Sequence, residues 1–345
     1  MKKILAFFLA LTLSLPLFAG CKKAEDEKPI PTVIIPGIMG TVLEDTNGHT
    51  VWPPSVGDGA FGLIAAIGNL MKLQLPDNAE SDGTLQPVRN AMADYQDGDK
   101  IGAMGAYTAL ATTLAEEFGY ENVFFFGYDW RLDNSETADA LSDYIASVLE
   151  QTGAKKVNIV AHSMGGLVTS GYLKKYKADG KLNKVITCGT PFYGAQDATD
   201  TLQGKGGGFF KDTQFGDAAG SLAPMFTSIP SLYELMPAAG WDAYLTDGKL
   251  PDTAPAAQKK AFAYFENVIG DLAKVWEGVD HVNIAGSNYH TNDVAGDADG
   301  DGTVAFTSAR ADGLFDSCTT KFQLTHVELV SDTAPLELIV SSLAQ

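Results

Sequence analysis

The chain is 345 residues long and carries 24 Lys and Arg against 43 Asp and Glu, a formal charge of −19. So acidic a surface repels nucleic acid and gains nothing from anionic lipid heads, which leaves any membrane role to an acyl anchor or to apolar patches. Its length, with no internal repeat, fits one large α/β domain with insertions rather than two independent ones.

Residues 1–20 read as a signal peptide for export and not as part of the fold. Met1-Lys2-Lys3 is a basic start, Ile4 to Phe18 is an apolar run too short and too early for a membrane span, and Phe18-Ala19-Gly20 is a small-residue exit. Cys21 follows directly and resembles the lipobox cysteine of bacterial lipoproteins. The expectation is an exported chain, anchored to a bacterial membrane at the cell envelope or surface through a lipidated Cys21. Residues 21–31, charged and then proline-flanked, read as the anchor and a disordered tether to a single domain over 32–345. Loss of Lys2 and Lys3 with the leader makes the mature charge −21.

Thr32 to Ile35 is a β-branched run ending in Pro36-Gly37-Ile38-Met39-Gly40, a strand that delivers a Gly-flanked loop. Residues 41–105 are Gly-rich and acidic without a long period, an excursion from the sheet. Within them Ala60 to Met71 is markedly apolar and admits two readings, a buried helix or a lipid-facing hairpin. Regular alternation then predicts a helix over Tyr107 to Phe118, a strand over Asn122 to Phe126, and a helix over Glu136 to Gln151 capped by Ser135. Tyr128-Asp129-Trp130-Arg131 sits at a strand exit and admits two readings, substrate binding by Asp129 and Arg131 or, the favoured one for an acid and an Arg two residues apart, a structural ion pair with neighbours.

Lys156 to Gly166, KVNIVAHSMGG, is the stretch that points to chemistry. Val157, Ile159 and Val160 predict a buried strand, Leu167 to Tyr176 a helix, and Ser163 falls at the turn between them. A small-x-Ser-x-Gly motif in that context is the nucleophile elbow of an α/β hydrolase: mostly parallel central sheet, flanking helices, ligands at the carboxyl ends of the strands. Ala161 and Gly165 are small enough for strand and helix to approach. The backbone N–H of Met164, after the nucleophile, and that of Ile38, on the loop after the first strand, are the candidate oxyanion donors.

A strand over Lys184 to Gly189 leads to a turn at Thr190 to Gly194, and the alternation is lost from 195 to about 275. Glycines at Gly204 to Gly208 and aromatics at Phe209, Phe210, Phe226, Tyr233, Trp241 and Tyr244 have the composition of a mobile cap over an apolar pocket, the alternative being a rigid helical insertion with its own core. His281 to Ala285 is a late core strand. Cys188 falls in an apparent core strand, where a free thiol behaves as a small hydrophobe, although export would permit a bridge to Cys318.

In this fold the acid and then the His follow the Ser along the chain. His49 and His162 precede Ser163 and His281 begins a strand, which leaves His290 and His326; a base after the acid, on a loop near the C-terminus, is His326. The acid comes from Asp293, Asp297, Asp299 or Asp301, and Asp301, directly before Gly302-Thr303-Val304, is the choice. The Asp297 to Val304 segment also resembles a calcium loop, but the twelfth position counted from Asp297 is Ser308, not the Glu an EF-hand wants. No metal and no cofactor is expected.

Four segments resemble the lecithin:cholesterol acyltransferase family, in the family's order: PGIMGTVLE at 36–44, GYDWRLD at 127–133, AHSMGGLV at 161–168 and GDGTV at 300–304. The resemblance implies an α/β hydrolase in which Ser163, Asp301 and His326 transfer an acyl group from a lipid ester to an alcohol or to water, with Ile38 and Met164 as oxyanion donors. It also implies that the loop after residue 40 and the span 195–275 are membrane-binding and lid elements. The rival from another class is a non-catalytic, lipid-anchored protein that holds a hydrophobic ligand on the same scaffold.

Overall fold

The computed structural model describes residues 29–54, 66–89, 100–205, 208–210 and 219–345. The leader, Cys21, most of the tether, the first part of the Ala60 to Met71 run and residues 206–207 of the glycine run lie outside the described residues.

Among the described residues eleven strands form three sheets. In chain order they are β1 (Thr32–Ile35), β2 (Leu43–Asp45), β3 (Thr50–Trp52), β4 (Leu85–Pro87), β5 (Val123–Phe125), β6 (Val157–His162), β7 (Leu182–Cys188), β8 (His281–Gly286), β9 (Tyr289–Asp293), β10 (Gly296–Gly300) and β11 (Thr319–Phe322). The central sheet runs β11-β8-β7-β6-β1-β5, and each of its pairings is parallel. β1 and β6 are buried along their whole length, the condition under which β-branched runs without polar alternation are stable as strands.

Successive side chains leave a strand on opposite faces, and the core divides accordingly. Val33, Ile35, Ile159, Ala161 and Val185 join one apolar cluster, Ile34, Val160, Ile186 and Cys188 the other. Helices α2 (Asn134–Thr152) and α3 (Met164–Tyr176) cover the first face, while α1 (Thr108–Phe118) and the last helix, Thr333–Leu343, cover the second. From β1 the chain moves outward to β5 and then crosses back to β6 on the other side of β1. The strand order therefore reverses between β1 and β6, the position where such sheets open a crevice at their carboxyl ends.

Three local expectations change. The cap of α2 is Asp133, whose carboxylate accepts from the N–H groups of Ser135 and Glu136; Ser135 lies inside the helix. The helix after the elbow begins at Met164, with no residue between it and Ser163. The calcium-like run begins in β10, which pairs antiparallel with β9; the Asp297 carboxylate makes an ion pair with the His290 side chain, while that of Asp299 accepts from Asn288 N and Lys321 Nζ. Cys188 and Cys318 are free thiols.

Residues 41–54 and 85–87 supply the three-stranded antiparallel sheet β3-β2-β4, apart from the central one. The described part of the span 195–275 is mostly helical, and Phe226, Tyr233, Trp241 and Tyr264, with Trp276 just after it, are buried in the first core cluster. Two of these aromatics bond to α3: Tyr264 OH donates to Leu167 O at 2.6 Å and Trp276 Nε1 to Ser170 Oγ at 3.0 Å.

Candidate active site

β6 ends at His162 and α3 starts at Met164, so the chain must reverse within Ser163. Its φ is 54°, a left-handed value that costs a side-chain-bearing residue free energy and lifts its Cβ out of the sheet. Close packing holds that conformation. A Cβ on Gly165 would lie 2.4 Å from Ile35 O, and one on Gly166 would lie 2.0 Å from Thr190 Oγ1. Ser163 itself is 7% exposed and among the described residues has no hydrogen-bond partner for its Oγ. Apo sites often hold such contacts open until substrate arrives.

Asp301 and His326 meet each other, and the His326 ring lies 4.6 Å, centroid to centroid, from that of His162, the residue before Ser163. His326 Nδ1 lies 2.8 Å from Asp301 Oδ2, and His326 N donates to Asp301 O at 3.0 Å, so both ring and peptide of the histidine are fixed by one residue. The other carboxylate oxygen accepts from Thr303 N at 2.9 Å and Val304 N at 2.7 Å. Burial works against the ionised Asp301, but the His326 ring and those two N–H groups outweigh it and hold the pKa below the ordinary carboxylate value. An ionised Asp301 can only accept, so the hydrogen bond favours a proton on His326 Nδ1 and leaves Nε2 facing away from the carboxylate.

Three glycines at the carboxyl edge of the sheet make room for these three side chains. A Cβ on Gly37, after β1, would meet Ser163 Cβ at 2.7 Å; one on Gly189, after β7, would meet His326 Nδ1 at 3.0 Å; one on Gly286, ending β8, would meet Asp301 Cβ at 2.5 Å.

The loop after β1 is held by aromatic side chains with polar tips. Tyr128 OH donates to Pro36 O at 2.8 Å, Gly37 N donates to Tyr107 OH at 2.8 Å, and Trp52 Nε1 donates to Met39 O at 2.7 Å. Gly40 N closes a turn on Gly37 O with Met39 at φ 62°. Among the described residues the N–H groups of Ile38 and Met164 have no acceptor. Ile38 follows Gly37, whose Cα faces Ser163, and Met164 follows Ser163 directly, so both unbonded N–H groups belong to residues next to the serine in the chain or in space.

Residues 128–131 are scaffold for that loop. Asp129 and Arg131 form a two-pronged pair with each other, Nε–Oδ1 2.9 Å and Nη2–Oδ2 2.7 Å, both buried. Trp130 packs edge-on against Trp52 at 5.5 Å, and its carbonyl accepts from Ser231 Oγ at 2.6 Å. Among the described residues no group of three or more His, Cys, Asp and Glu is placed to hold a metal ion.

Comparison with known proteins decides the family. The family model of lecithin:cholesterol acyltransferase matches residues 88–270, more than half of the chain. The chain belongs to the lecithin:cholesterol acyltransferase family. The matched range of this acyltransferase-family chain contains Ser163 and Met164 and ends before Asp301 and His326. It is similar to lecithin-cholesterol acyltransferase-like 4 of Arabidopsis thaliana, 25% identical over 232 residues that make up 60% of this chain and 42% of that protein. Phospholipase A(1) LCAT3 of the same plant is 31% identical over 120 residues, 33% of this chain and 27% of that one. The chain thus spans less than half the length of these two curated relatives. A chain in the crystal structure of the Tle4–Tli4 complex has the same fold, at 16% identity and a TM-score of 0.57, covering 92% of this chain and 99% of that one.

Two residues at the family member's site carry no signal in the local sequence. The sequence predicts Tyr107 only as the start of a helix, and His162 is set aside by its position before Ser163. Both are buried against the site, and Tyr107 OH lies 2.9 Å from His162 Nδ1.

Proposed function

We propose that the chain is a serine-dependent lipid acyl hydrolase or O-acyltransferase that works through an acyl-enzyme on Ser163. The observation that carries this is the Asp301–His326 pair, 2.8 Å apart, in a chain that also has a left-handed serine at a strand-to-helix turn. His326 Nε2 takes the Ser163 proton as Oγ attacks the ester carbonyl, and the Ile38 and Met164 N–H groups receive the charge on its oxygen. His326 then protonates the departing lysolipid or alcohol. Water or a second alcohol takes the acyl group in the next half-reaction, and neither half needs a cofactor. Membership of the acyltransferase family supports a lipid ester as the acyl donor.

The proposal includes export and anchoring through lipidated Cys21, on the strength of the leader and the Ala19-Gly20-Cys21 sequence. Mass analysis of the mature N-terminus tests it: diacylated Cys21 is expected, and an unmodified chain would end the anchoring proposal.

Product analysis tests the activity. The purified mature protein, with Ser163→Ala as control, is incubated with phospholipid vesicles containing a sterol or a long-chain alcohol. Free fatty acid and lysolipid that vanish in the mutant identify a hydrolase, new acyl esters identify a transferase, and neither product from wild type would refute the lipid-ester reading.

A further inference from the structure

Gly37 must be glycine, because any side chain there would strike Ser163. Glycine also leaves the loop that carries Ile38 free to turn, and a donor free to turn is a poor oxyanion donor. Restraint comes from outside the loop. The Pro36–Gly37 peptide plane is gripped at both edges, its carbonyl by Tyr128 OH at 2.8 Å and its N–H by Tyr107 OH at 2.8 Å. The Tyr107 oxygen also meets His162 Nδ1 at 2.9 Å, and His162 Nε2 meets the carbonyl of His326 at 3.0 Å.

One arrangement of protons satisfies that chain. Gly37 N–H can only donate, so the Tyr107 oxygen accepts from it and turns its single hydrogen to His162 Nδ1. With Nδ1 accepting, a neutral His162 carries its proton on Nε2 and donates it to the His326 carbonyl, which can only accept. Burial, with the nearby His326 ring, pushes the pKa of His162 down to about 3, so the ring is neutral wherever His326 acts as a base.

We infer that Tyr107 and His162 are positioning residues: they join the oxyanion loop to the His326 peptide in one hydrogen-bonded chain, which sets proton acceptor and oxyanion donor relative to each other. This rests on the reading of Ser163 as nucleophile. Removing the Tyr107 hydroxyl frees the Gly37 N–H and deprives His162 Nδ1 of its donor, which loosens both ends together.

The test counts active sites with a fluorophosphonate and measures hydrolysis of a short 4-nitrophenyl ester per labelled Ser163. Tyr107→Phe is expected to lower kcat per labelled site roughly 10- to 100-fold with KM within about twofold. His162→Asn, whose amide can still meet Tyr107, should lose less than His162→Leu, and this pair carries the test if Tyr107→Phe does not fold. Tyr144→Phe, which removes a hydroxyl bonded to Phe125 O away from the loop, should leave turnover unchanged. A lower labelled fraction with normal turnover per site in Tyr107→Phe, or equal turnover in the two His162 variants, would overturn the positioning role alone. A wild-type protein that is not labelled at Ser163 would overturn the nucleophile reading as well.

Discussion

Ser163 holds a left-handed backbone conformation that the surrounding glycines permit, and His326 Nδ1 is bonded to Asp301. Residues that act as a unit lose their effect together. Ser163→Ala and His326→Ala should each lower kcat by about 10³ or more, and the double mutant should be little worse than either; additive losses in steady-state kinetics would show that the two act separately. Asp301→Asn should lower kcat by roughly 10³ to 10⁴ because the wrong tautomer is favoured. Asp299, two residues away and bonded to Asn288 and the exposed Lys321 rather than to His326, should tolerate the same change with near-normal kcat. Asp301 and His326 are legible as a pair because so few histidines follow the elbow and because Gly302-Thr303-Val304 marks a tight turn. Tyr107 and His162 are not legible, since a bond between residues 55 apart leaves no period or spacing in the chain.

At the scale of elements, the site depends on strands ending where a glycine follows. Gly286→Ala would place a Cβ 2.5 Å from Asp301 Cβ and 2.7 Å from Leu324 O. Loss of stability of about 1–3 kcal/mol and a fall in kcat are expected, read by denaturant unfolding and ester turnover. Gly68→Ala, with open space around it, should change neither adversely. Removing the α2 cap with Asp133→Ala should cost about 1 kcal/mol in the same unfolding assay. The central strands are legible because β-branched runs buried on both faces have no polar interruptions. The cap is misplaced by two residues because Ser and Asp are equally good acceptors, and only the extended backbone at Asp133, φ −56° and ψ 135°, separates them. The β9–β10 hairpin is illegible for a related reason: Asp and Gly disfavour strands, so pairing there follows from tertiary context.

The whole molecule stacks one parallel sheet between two helical layers, with two neutral histidines enclosed. Burial lowers the pKa of both His162 and His281 to about 3, against about 6.5 in the unfolded chain. Between those values the unfolded chain binds protons that the folded one refuses. Their stabilisation is therefore complete above about pH 6.5 and is lost as pH falls toward 3, by up to about 1.4 kcal/mol per pH unit for each histidine. Asp301, with its lowered pKa, adds a loss of the same sign at still lower pH. Urea midpoints should fall from pH 7 to pH 4, and less steeply in His281→Gln; a flat profile would contradict neutral burial. The parallel architecture follows from the α/β alternation in the sequence, whereas the packing of residues 226–276 into the main core does not, because aromatics suit a lid and a core equally well. The central claim concerns a covalent bond on one side chain. Acid quench of the protein during turnover of a phospholipid, followed by peptide mass analysis, tests it most directly. An acyl adduct on the peptide containing Ser163 is predicted, absent in Ser163→Ala; product formation with the adduct on another residue, or with none in a burst experiment, would contradict the account.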